Sequence, residues 1–200
     1  MIQPPALVRT PRLTLRCWTA GDAPALAAAV GASHAHLRPW MPWVTDDPVG
    51  LDGWRAVIEE FAQQRAAGGD TVYGTFAGDA VVGGTGLHRR RGPGVLEIGY
   101  WIHADHVRRG YATELAAALT DVAFSLPDVE RVEIHHDRAN TASRGVPERL
   151  GSAFAGEAAD EVRAPAEAGV DCTWVVSRDL WGYTRRISPA SVGRNPQAST

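Results

Sequence analysis

The sequence predicts a single mixed α/β (α+β) domain with one central sheet flanked by helices. Short stretches in which apolar and polar residues alternate with period two are interleaved with longer stretches of helical period. The 200 residues are 44% apolar and 22% charged, enough to bury one core within the usual size of one domain. Leu13, Leu15 and Cys17 alternate with Arg12, Thr14 and Arg16, as in a half-buried strand. Asp22 is an N-cap type of residue ahead of an Ala-rich helix reaching about Val30. Residues 37–44, with two prolines and two tryptophans, break from regular helix. Asp52–Arg65 gathers Trp54, Val57, Ile58 and Phe61 on one helical face. Strands 71–77 and 80–87 are joined by Gly78-Asp79 as a hairpin turn. Then follow a strand over 95–102, a helix over 111–124, a strand over 131–136 and a helix over 141–150 ending at Gly151. Strands over 156–163 and 172–180 close the domain, assigned to residues 1–182. Residues 183–200, rich in Ser, Gly, Pro and Asn, read as a flexible tail.

Composition excludes several classes. A chain this apolar is not disordered, and two cysteines, Cys17 and Cys172, make no disulfide framework. No apolar run approaches the ~20 residues of a membrane span, and Met1–Pro5 lacks a signal-peptide pattern. These features predict a soluble, cytoplasmic protein without a membrane partner. A net charge of −3 argues against nucleic acid as a partner. All 20 basic residues are arginine, so chemistry that needs a lysine Schiff base or a P-loop lysine is excluded. The histidines at 34, 36, 88, 103 and 106 lack metal-ligand spacing, and no metal is expected.

The most informative segment is Glu97-Ile98-Gly99-Tyr100-Trp101-Ile102 followed by Val107-Arg108-Arg109-Gly110-Tyr111-Ala112-Thr113-Glu114. A strand leads through a glycine-bearing turn into a helix, which gathers unpaired backbone N–H groups at the positive end of a helix dipole. A pyrophosphate fits such a turn. Gly110 and Ala112 allow close approach, and Arg108 and Arg109 can add charge. The turn is neither a P-loop nor a Gly-x-Gly-x-x-Gly motif.

A second element, Asn140-Thr141-Ala142-Ser143 running to Pro147-Glu148-Arg149-Leu150-Gly151, follows the next strand. With Thr10–Arg16, the tryptophan-proline stretch 37–43 and the two segments above, the chain over about 9–181 resembles the GCN5-related N-acetyltransferase (GNAT) superfamily, in its RimJ/RimL-type branch. The resemblance implies a mixed central sheet with a splayed parallel strand pair, 95–102 and 131–137, and acetyl-CoA as co-substrate bound in the gap between those two strands. Ile102 and Val107–Thr113 would hold the coenzyme by its pyrophosphate end, with Asn140 on the pantetheine arm. Val107 stands where the superfamily often has Gln or Arg. Many members use a tyrosine acid at the position of Pro147, whereas RimL-like enzymes have a serine at that of Ser143. For the base the resemblance implies Glu161 or His135, a neutral imidazole that could accept the amine proton. Glu97 is a third candidate, or a brace for the strand.

The acceptor end is expected at Trp40, Met41, Pro42, Trp43 and Trp101, with Glu97, because aromatic walls desolvate an amine. Tryptophans that simply fill the core are the competing reading. The expected reaction is acyl transfer to a primary amine, with the N-terminus of a ribosomal protein favoured by the resemblance. A small amine or antibiotic as acceptor, or a non-catalytic acyl-CoA-binding protein, are the alternatives, and the molecule would be a monomer or a homodimer.

Overall fold

The computed structural model describes residues 2–187. Its strands are β1 (Leu7–Arg9), β2 (Thr14–Cys17), β3 (Thr71–Ala77), β4 (Ala80–His88), β5 (Val95–Ile102), β6 (Arg131–Asp137), β7 (Ala153–Ala159) and β8 (Val170–Ser177). The helices are α1 (Ala23–Ala32), α2 (His34–Leu37), α3 (Leu51–Ala66), α4 (Tyr111–Ser125), α5 (Thr141–Leu150) and α6 (Arg178–Ile187). All the strands join one sheet in the order β1-β2-β3-β4-β5-β6-β8-β7. Every neighbouring pair is antiparallel except β5–β6. The mixed sheet with one parallel pair is the architecture the resemblance implies.

Helices cover both faces. On one, Leu96 and Ile98 of β5 and Val132 and Ile134 of β6 pack with Leu115 and Leu119 of α4 and with Val146 and Leu150 of α5. Leu115, Leu119 and Ala123 repeat every four residues and are fully buried, so α4 is held chiefly by this stripe. Each buried leucine contributes about 1.5–3 kcal/mol. On the other face Trp18, Leu26, Val30, Trp54, Ile58 and Phe76 form a second cluster beneath α1 and α3. The β3–β4 hairpin turns at Gly78-Asp79, as expected, with Gly78 at φ 59°.

Three expectations need correction. β1 was not foreseen: three residues are too few to show a period. β7 starts three residues early, at Ala153, and ends at Ala159. It is the sheet edge and largely exposed, so no inward apolar face marked it. The last strand stops at Ser177 because Arg178 begins α6, donating to the carbonyls of Phe124, Leu126 and Val129 where α4 ends. α6 then runs to Ile187, past residue 183 where the tail was expected to begin; the remainder of that tail, 188–200, lies outside the described residues.

Trp181 of α6 is 7% exposed within the main core, and its indole N–H donates to Asp121 at 2.8 Å. Trp181→Ala is therefore expected to lower the free energy of unfolding by about 3–5 kcal/mol in urea titration. A loss below about 1 kcal/mol would detach α6 from the core.

Candidate active site

The parallel pair does not stay paired. β5 and β6 match only at Val95–Arg131, Leu96–Val132 and Glu97–Glu133. Beyond those rungs β5 remains paired to β4 as far as Ile102, and β6 to β8 as far as Asp137. The facing edges of 98–102 and 134–137 thus diverge, and their backbone polar groups face an opening instead of each other. A cavity of about 690 Å³ lies there. Trp40, Trp43 and Trp101 line it on the aromatic side, and Glu97, His135, Asn140, Ser143 and Glu161 on the polar side.

Ile102 ends β5, and the chain reaches α4 through the turn 107–110. Two residues of that turn are left-handed, Arg108 at φ 58° and Gly110 at φ 79°. Alternating handedness aims successive N–H groups into a concavity. Gly110 is also the N-cap of the fifteen-residue α4 and brings no capping side chain. The amides of Tyr111, Ala112 and Thr113 therefore add to an anion-favouring helix end. The turn is braced from the N-terminal strand. Arg12 donates through Nη1 to the Arg109 carbonyl at 2.8 Å and through Nε to Glu114 at 2.6 Å, and its guanidinium lies 5.0 Å from the Tyr111 ring centre. Thr10 Oγ1 and the Arg12 amide both donate to Glu114 as well. A Cβ at Gly110 would come within 3.4 Å of Arg12 Nη2. Arg109 turns its own guanidinium back onto the Asp105 carbonyl, at 2.9 Å, while Arg108 is exposed.

Asn140 caps α5 through Oδ1, which accepts from the Ser143 amide at 3.1 Å. Ser143 is half-buried on the cavity wall, and the Tyr100 hydroxyl donates to its carbonyl at 3.2 Å. Glu97 pairs with Arg91 at 2.6 Å. On the aromatic side Trp43 stands edge-on between Trp54 and Trp101, at centroid distances of 6.5 Å and 6.2 Å. The Trp101 indole crosses β4 at Gly84, where a Cβ would sit 2.5 Å from Nε1. The loop after β7 is tied to the tryptophan stretch by the Ala166 amide, which donates to the Pro39 carbonyl at 3.0 Å.

Two candidate bases differ from expectation. His135 is not a free neutral imidazole. Its Nδ1 lies 2.7 Å from Asp171 Oδ2 and its Nε2 3.0 Å from Glu133 Oε2; a ring protonated on both nitrogens donates to both carboxylates, and in that form no lone pair is left to take a proton. Burial depresses the imidazole, but hydrogen bonds to Asp171 and Glu133 outweigh it and raise His135 above its ordinary value. Burial likewise opposes the ionised Asp171, and the bond from His135 prevails, holding that carboxyl low. Glu161 is not on a strand: it follows β7 in a loop, 80% exposed and 3.7 Å from Arg163. Of the sequence-named residues, Trp40, Trp43, Glu97, Trp101, His135, Asn140, Ser143 and Glu161 line one cavity, whereas Ile102 ends β5 and 107–113 form the turn and the first residues of α4. Sequence reasoning missed Glu133, Asp171, Arg91 and the Tyr100 hydroxyl as partners. Only the alternation on β6 signalled that Glu133 and His135 share a face.

The protein-family model described as "Acetyltransferase (GNAT) domain" matches residues 12–153. The chain belongs to the GNAT acetyltransferase family. It is 29% identical over 154 residues to YdaF of Bacillus subtilis (strain 168), which carries the name of a ribosomal N-acetyltransferase; the match spans 74% of this chain and 81% of YdaF. Among solved structures, RimL, a ribosomal L7/L12 alpha-N-protein acetyltransferase in complex with coenzyme A, superposes with a TM-score of 0.77 at 19% identity, covering 87% of this chain and 99% of RimL. Mycobacterium smegmatis RimJ in complex with CoA-disulfide superposes at 0.76 with 20% identity, covering 84% and 82% of the two chains. The chain is thus an N-acetyltransferase of RimJ/RimL-like fold.

The His135 contacts set a pH signature. The raised imidazole stabilises the fold fully below its ordinary 6.5 and loses that contribution as pH climbs through its higher folded value. The lowered Asp171 contributes above its ordinary 3.8 and loses it on acidification. Wild type is therefore expected to exceed His135→Gln in stability most clearly between those two values, with the gap shrinking on the alkaline side of neutrality. Urea midpoints of both proteins across pH 4–9 test this; a gap that widens with rising pH would refute the double donation.

Proposed function

We propose that this acetyltransferase moves the acetyl group of acetyl-CoA to a primary amine by direct attack, and that the amine is the N-terminus of a ribosomal protein. The observation that carries the reading is the parting of β5 and β6 after three rungs, with a cavity lined by both strands in the opening and the anion-favouring turn following β5. The N–H groups of 107–113 hold the diphosphate, helped by the exposed Arg108. The amides of the pantetheine arm meet the edge of β5 up to Ile102, and the Asn140 carboxamide, whose oxygen already caps α5, offers its NH₂ to that arm.

In the reaction the amine nitrogen attacks the thioester carbon, a C–N bond forms and the C–S bond breaks. The walls formed by Trp40, Trp43 and Trp101 favour the neutral amine. Its proton passes to Glu161, the candidate carboxylate with the most access to water, while Glu97 stays engaged with Arg91. The Ser143 hydroxyl donates a hydrogen bond to the departing sulfur. A serine hydroxyl is a far weaker acid than a thiol, whose pKa is about 8.5, so Ser143 stabilises the thiolate instead of giving up its proton. Juxtaposing amine and thioester supplies much of the remaining acceleration.

The likeness to YdaF and to the RimL and RimJ folds favours a protein N-terminus. Thiol release from acetyl-CoA is expected with peptides copying ribosomal-protein N-termini and not with their Nα-blocked forms. Turnover of small amines alone would overturn the acceptor, and tight CoA binding without turnover of any amine would overturn catalysis. Gly110→Val should raise KM for acetyl-CoA about tenfold or more with kcat less affected, because it both strains and fills the turn. Ser143→Ala should instead lower kcat about tenfold or more at nearly constant KM.

A further inference from the structure

α5 contains a proline seven residues into its ten-residue length. In a helix the carbonyl of residue i accepts from the N–H of i+4. For Ser143 that partner is Pro147, which has no N–H and whose ring crowds the same carbonyl. Pro147 is buried with Val146 and Leu150 against the core, which holds this turn of α5 in place. The Tyr100 hydroxyl occupies the vacated role, donating to the Ser143 carbonyl at 3.2 Å. The Ser143 amide is meanwhile held by Asn140 Oδ1 at 3.1 Å. Both backbone polar groups of Ser143 are therefore held by side chains.

The placement of these groups gives the contact its meaning. Tyr100 lies on β5 three residues past Glu97, where β5 and β6 stop pairing; Ser143 lies on the helix that follows β6. Their bond is a strut from one arm of the opening to the helix carried by the other. It fixes how far the Ser143 hydroxyl stands from the β5 edge.

We propose that Tyr100 is a positioning residue, its hydroxyl replacing the helix N–H that Pro147 lacks and so setting Ser143 against the thioester. This rests on the reading of Ser143 as donor to the leaving sulfur.

Tyr100→Phe keeps the ring and removes the donor, while Pro147→Ala restores an N–H to α5. The two substitutions are made singly and together, and kcat, KM for acetyl-CoA and thermal midpoint are measured for each. Tyr100→Phe alone is expected to lower kcat about tenfold while KM changes less than about threefold. In the Pro147→Ala background the same change should cost less than about threefold in kcat. Equal costs in both backgrounds, or a coupling seen in the thermal midpoint and absent from kcat, would overturn the proposal. Should Tyr100→Phe alone fail to fold, recovery of folding and turnover by Pro147→Ala supports the strut, and no recovery overturns it. Ser143→Ala separates the two readings. Unchanged kcat there, beside a coupled kcat loss at Tyr100 and Pro147, removes the serine hydroxyl from the chemistry and leaves the strut. Lost kcat there without that coupling removes the strut and leaves the serine.

Discussion

Two neighbouring parallel strands that must part are the constraint around which the rest of the molecule is arranged. β5 is held along its length by β4, and β6 by β8, so neither can bend without carrying its partner. Their last shared rung is Glu97–Glu133. Like charges directly opposite on adjacent strands repel, and this pair shares the face on which no further pairing follows. Each carboxylate is neutralised on its own side, Glu97 by Arg91 at 2.6 Å and Glu133 by Arg131 at 2.8 Å. His135 then locks Glu133 to Asp171 of β8. The network ties the β6 arm to β8 and the β5 arm to the segment before it. Across the gap Arg91 attracts Glu133 and Asp171, but among the described residues the network's ion pairs each stay on one side.

The same network keeps the carboxylates nearest the parting strands paired. A buried carboxylate without a partner would be costly or would take up a proton. Here those near the parting strands are engaged, with His135 serving two of them. Beside them stands the aromatic wall, with Trp43, 43% exposed, anchored edge-on by Trp54 and Trp101. That wall requires a bare strand beneath it: Gly84 leaves the room in which the Trp101 ring lies across β4.

What could be read from the sequence divides along a physical line. Features set by neighbours in the chain were legible: the Gly78-Asp79 hairpin, the turn around Gly110, the α4 stripe and Asn140 at the head of α5. Features set by partners distant in the chain were not. Asp171 reaches His135 from 36 residues away, and nothing local to His135 marks it as a double donor, so it read as a free base. Arg12 braces the Gly110 turn from 97 residues away; its motif stood out in the sequence without a task attached. The bounds of β7 and the helix α6, which reads as strand and tail, are not legible because an exposed edge strand lacks an inward face and because Arg178 and Trp181 are ordered by the end of α4, not by their neighbours.

In the proposed reaction, Pro147 is the departure from the family pattern that bears most directly on catalysis, since the resemblance implies a tyrosine acid at its position. Its loss matters less than it would in other acyl transfers. A thiolate leaves a tetrahedral centre readily, because its conjugate acid, with a pKa of about 8.5, lies close to neutrality; a hydrogen bond aimed at the sulfur supplies much of what an acid would. The demand then shifts from acidity to aim. A hydroxyl on the first turn of a helix is only as well aimed as that turn, and the proline that removed the acid also removed one of the bonds that hold the turn. With Asn140 on its amide and Tyr100 on its carbonyl, Ser143 regains from side chains the rigidity that the helix ladder no longer provides. The missing tyrosine is thus weak ground for reading the protein as a binding module.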